Sequence, residues 1–104
     1  MKQVLITIDT EGHRGVDSVK RLIYGTTRDG KQYGIVRIMD LCDQHNVKAI
    51  FFVDIAEAWD YGKEKIADVI KLIRQRGHFV GIHIHPDHMA DSKRLFLWEY
   101  TKEE

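Results

Sequence analysis

Three short runs of β-branched and apolar residues punctuate the chain: QVLITID at 3–9, AIFFV at 49–53 and FVGIHIH at 79–85. Helical patterns separate the second run from the other two, and this alternation narrows the fold more than any other feature. In the first two runs apolar side chains occupy odd and even positions alike. A strand covered on one face would alternate, so both are expected to be buried on both faces, as interior parallel strands are. Ile35, Ile38, Met39 and Cys42 recur at helical spacing and predict an amphipathic helix over 34–45, with Asn46 as its C-terminal cap. Ile66, Val69, Ile70 and Ile73 predict a second helix over 63–76, closed by Gly77. Pro86 is expected to stop the third strand. The order β-loop-α-β-α-β implies right-handed crossovers and a parallel α/β sheet.

The polar stretch 10–31 contains Gly12, Gly15, Gly25 and Gly30 and reads as a long loop, a kind of segment that is often functional. Hydrophobic residues at 43% and charged residues at 31% exclude disorder of the whole chain. Sixteen basic and sixteen acidic residues balance, so the basic excess of a nucleic-acid binder is missing. The single cysteine, Cys42, has no internal disulfide partner and falls on the apolar stripe of its helix. The apolar run 4–8 is too short for a signal-peptide core or a membrane span, and a cytoplasmic chain with no membrane span is expected.

A chain of 104 residues makes at most one domain. Its end suggests less than one. Residues 92–100 are rich in large apolar side chains, and Thr101 to Glu104 have the form of a capping box, which announces a helix. Three parallel strands alone also leave open edges and uncovered faces. Residues 1–104 are therefore expected to be a single partial domain, with self-association through open strands as one consequence.

Chemistry concentrates at the strand ends. Asp9 and Glu11 are two residues apart at the carboxyl end of the first strand, so both carboxylates take one face if strand geometry continues. His83 and His85 repeat that spacing in the third strand, while Ile82 and Ile84 are expected to pack under helices. His88 lies just beyond Pro86. Ligands gather at the carboxyl ends of parallel strands. Two histidines with a carboxylate make a frequent catalytic zinc set that keeps a position open for water. A bound ion of this kind brings water to a pKa of about 7, and a nearby carboxylate then acts as general base, which is chemistry for hydrolysing an amide or ester. His78 and His45 are expected in structural or helix-dipole roles, and His13 in the long loop is left open.

Three blocks, in order, resemble the polysaccharide deacetylase family, the NodB-homology domain. VLITIDTEG is similar to its T-F-D-D-G motif, VRIMDLCDQHNVKAIFFV to its helix-then-strand block, and RQRGHFVGIHIHPDH to the G-H-E-[IV]-G-x-H block. The combination is similar to a subgroup linked to surface-polysaccharide biosynthesis. The resemblance implies the N-terminal half of a distorted (β/α) barrel that removes N-acetyl or O-acetyl groups from a carbohydrate with a divalent metal, usually zinc. Asp9 matches the family's catalytic base. The second aspartate, a metal ligand, aligns with Thr10, and Glu11 stands in for it with a one-residue shift. His83 matches the first metal histidine. The position of the second is Asp87, which leaves His85 and His88 as candidates, with His85 preferred because strand geometry aims it with His83. The family's later motifs, among them a histidine general acid, would follow Glu104, and weak or no activity is expected of residues 1–104 alone. Two other readings compete. One is a metal-binding or partner-binding α/β module without catalysis. The other is a 3′–5′ exonuclease-like metal nuclease, suggested by I-D-T-E-G, which requires a β-hairpin directly after that motif.

Overall fold

In the computed structural model the central apolar run becomes the central strand. The structure describes residues 2–15, 17–89, 98 and 101–103. Strand β1 is Ile6–Thr10, helix α1 Ile35–Gln44, strand β2 Ala49–Asp54, helix α2 Ala58–Tyr61, helix α3 Lys63–Gln75 and strand β3 Phe79–His83. A π-helical turn occupies Val19–Ile23, and 3₁₀ turns occupy Ile55–Glu57 and Pro86–His88. The sheet is parallel, in the order β1-β2-β3.

Both helices that link the strands end the same way. After α1, Asn46 takes a left-handed conformation (φ 54°), its N–H donates to the Asp43 carbonyl, and the Val47 N–H reaches back to Cys42. After α3, Gly77 (φ 77°) and His78 repeat the pattern onto Arg74 and Ile73. These are Schellman closures, which use up orphan carbonyls and turn the chain into the next strand. His78 is buried there. Its Nδ1 accepts the Ala49 N–H at 3.2 Å and its Nε2 meets Asp43 Oδ1 at 3.0 Å, so its role is structural, as expected.

The core lies between the helices and one face of the sheet. Ile35, Met39 and Cys42 of α1 and Ile66, Val69 and Ile73 of α3 pack on Ala49, Phe51 and Val53 of β2. Burying a side chain such as Phe51 or Ile73 contributes about 1.5–3 kcal/mol. On the opposite face Ile50 and Phe52 stay half-buried. Both helices thus cover the same side.

This arrangement corrects four expectations. Strand β1 is not buried on both faces: it is an outer strand, Ile6 and Asp9 are exposed, and the apolar Val4 and Leu5 stand exposed before it. Strand β3 ends at His83, before Pro86, because the His85 N–H bonds the Asp54 carboxylate at 3.2 Å. Ile82 is 68% exposed and Ile84 is also exposed, so neither packs under a helix. The stretch 10–31 is not wholly irregular: it holds the π-helical turn and an antiparallel bridge between Thr26 and Gln32. The apolar segment 92–100 lies outside the described residues except for Trp98, and the capping box does so at Glu104. Among the described residues no helix is long and apolar enough to cross a membrane.

Candidate metal centre

Parallel pairing brings the carboxyl ends of the three strands together. Asp9 is level with Phe52, and Phe52 with Gly81. Asp54 is level with His83, and Glu11 follows β1 by one residue. Side chains in register on neighbouring parallel strands share a face. Asp9, Phe52 and Gly81 therefore form one row on the helix-free face. Glu11, Asp54 and His83 form the next row, at the edge, and His85 extends it.

Glu11, His83 and His85 converge. Glu11 Oε2 lies 3.1 Å from His83 Nε2 and 2.6 Å from His85 Nε2, and the two nitrogens are 2.9 Å apart. Protons alone do not satisfy this triangle. If both imidazoles donate to the carboxylate, two N–H groups face each other. If one imidazole accepts from the other, its lone pair faces the carboxylate oxygen. A shared cation satisfies all three lone pairs at once, so the donor set fits a divalent ion. The side chains are partly exposed, and the triangle faces solvent rather than a closed cavity. Two hollows lie elsewhere, along Asp17, Tyr61 and Lys65.

The other two residues expected at this site lie outside the triangle. Asp9 is one row back on the same face and exposed. His88 is not a third histidine of the triangle. The 3₁₀ turn after Pro86 carries it toward α2, where its Nδ1 pairs with Asp60, while its ring centre is 6.4 Å from that of His85.

His88 belongs instead to a buried group that the sequence reading missed. One donor atom each from Asp54, Glu57 and His88 lies within 4.8 Å of the others. Asp54 caps the 3₁₀ turn, accepting the Ala56 N–H at 2.9 Å, and its other oxygen accepts the His85 N–H. Glu57 Oε1 accepts the Gly12 N–H, an approach that a side chain at 12 would disturb, since a Cβ there would lie 2.3 Å from Ser18 Oγ. Burial pushes the Glu57 carboxyl up to about 7 and raises Asp54 as well. Burial works against the His88 imidazolium, but the Asp60 hydrogen bond and the charges of Asp87, Asp54 and Asp60 outweigh it and raise its pKa. A signal for this group was present. Asp54, Glu57 and Asp60 recur every third residue directly after the best-buried strand, at the edge where ligands gather.

No family model matches this chain, and no curated protein or solved structure is significantly similar to it.

Proposed function

We propose that this chain is the N-terminal half of a metal-dependent carbohydrate deacetylase that hydrolyses N-acetyl or O-acetyl groups in the cytoplasm. The observation that carries the reading is the convergence of Glu11 Oε2, His83 Nε2 and His85 Nε2 at the carboxyl edge of a parallel sheet. Sequential strand order with both helices on one side is also how a β/α barrel begins. The helix-free face then becomes its interior, and the unpaired outer edges of β1 and β3 become the places where further strands or a second copy add.

Glu11, His83 and His85 would hold the ion, with zinc suited to two imidazoles and a carboxylate. When bound, such an ion lowers the pKa of water and polarises an acyl oxygen. Asp9 is exposed on the same face and would take a proton from the attacking water. Asp54 holds the His85 backbone, which steadies the imidazole at the triangle. Partial exposure lets a bulky sugar reach the edge, and a chain of zero net charge does not repel an uncharged amide.

The test is acetate release from a panel of N-acetylated and O-acetylated sugars by the Zn²⁺-loaded chain. Slow release above that of free Zn²⁺, lost in His83→Ala and in Asp9→Asn, is expected. Release that is unaffected by either substitution overturns the reading. Robust cleavage of single-stranded DNA with Mg²⁺ would favour the nuclease alternative. In the structure β1 is followed by a π-helical turn and not directly by a hairpin.

A further inference from the structure

Glu57 and His88, buried behind the triangle, have no part in the proposed hydrolysis, yet their geometry is incomplete as it stands. Glu57 is fully buried, and its Oε2 has no hydrogen-bond partner. Asp60 engages His88 through Nδ1, which turns Nε2 toward Glu57 Oε1 at 4.0 Å, beyond hydrogen-bond range. A carboxylate fixing one imidazole nitrogen so that the other is presented is the usual support of a metal-ligating histidine. Asp54 is fully buried too. Among the described residues no lysine or arginine pairs with Asp54 or Glu57, and Arg14 reaches only Asp60, at 3.5 Å. Two buried carboxylates with no lysine or arginine beside them carry a large desolvation cost.

We propose that Asp54, Glu57 and His88 bind a second divalent first-row cation, distinct from the one at Glu11, His83 and His85, and that it fastens the turns after β2 and β3 to each other. Two carboxylates and one imidazole are a harder donor set than the triangle and suit Zn²⁺ or Mn²⁺. Enclosure matches a structural ion, because catalytic sites keep a position open. Asp54 and Glu57 flank the end of β2 and His88 follows β3, so one ion crosslinks two turns that frame the edge of the sheet.

The experiment counts Zn²⁺ per chain by equilibrium dialysis. Two ions on the wild type, one on the His83→Ala/His85→Ala double variant and one on Glu57→Gln are expected, with the lost affinity in Glu57→Gln at least about 100-fold. A double variant that binds none, or a Glu57→Gln chain that keeps two, overturns the proposal. Whatever Glu57→Gln does to folding, the unmutated chain gives an independent readout in its imidazole ¹⁵N spectrum. The second equivalent of Zn²⁺ is expected to move His88 Nε2, and a resonance that stays fixed overturns the proposal. Two bound ions with acetate release that survives His83→Ala would remove the hydrolytic reading and leave this one standing. One ion, lost with His83 and His85, would do the reverse.

Discussion

Two groups of the same donor types lie one hydrogen bond apart, and their surroundings separate them. In the triangle the side chains of Glu11, His83 and His85 are 32%, 26% and 41% exposed. In the second group Asp54 and Glu57 are fully buried and His88 is 7% exposed. The open donors have one another as polar partners. The closed donors are gripped by other parts of the protein: Gly12 and Ala56 amides, the His85 amide and the Asp60 carboxylate. Access thus separates two groups built from the same two kinds of side chain. An exposed cluster can exchange ligands, whereas an enclosed and pre-oriented one can only hold.

The sharpest division between the two comes from Asp9→Asn. It lies beside the triangle alone, so acetate release is expected to fall about 100- to 10,000-fold while both ions stay bound. Loss of an ion from this variant, seen by metal analysis, would show that Asp9 is a ligand and not a base. Next in size is the pH response of the metal-free chain. Glu57 has a folded pKa of about 7 against an ordinary 4.5, so the folded state holds its proton more tightly. That contribution is fully present below pH 4.5 and is lost as pH rises through 7, a difference of roughly 3 kcal/mol. Urea unfolding in a chelator should show this decline, and Glu57→Gln should flatten it. An undiminished slope in the variant would mean that another group governs it.

Asp60→Asn is a smaller perturbation. It leaves His88 in place but weakens its orientation, so closed-site affinity should drop about 10- to 100-fold by calorimetry, with the triangle unchanged. Equal weakening at both sites would erase the distinction between them. The smallest effect belongs to Arg14→Ala. The Arg14 side chain is 61% exposed where it meets Asp60, and its removal should alter stability by less than about 1 kcal/mol. A larger loss in thermal melts would make Arg14 part of the closed group.

The helices were legible because their buried residues obey the period: Ile35, Met39 and Cys42, then Ile66, Val69 and Ile73. Asn46 and Gly77 were legible as caps because few residues tolerate a positive φ. Strand β1 was misread for a reason outside its own residues. Apolar side chains at both parities suggest burial, but neighbours decide it, and among the described residues β1 has a strand on one side only. The triangle was readable from period-2 spacing carried just past the ends of two strands, which fixes direction without long-range knowledge. The position of His88 was not. It depends on a three-residue 3₁₀ turn too short to leave a periodic mark, and on partners that are distant in sequence.

Asp54 belongs to the closed group, and it also receives the amide of His85, a member of the open one. Neither assembly can shift its geometry in isolation. Thermodynamic reciprocity makes that connection symmetrical: whatever factor an ion in one site imposes on the affinity of the other, it receives in return. Titrations begun from either side must therefore close on the same coupling free energy.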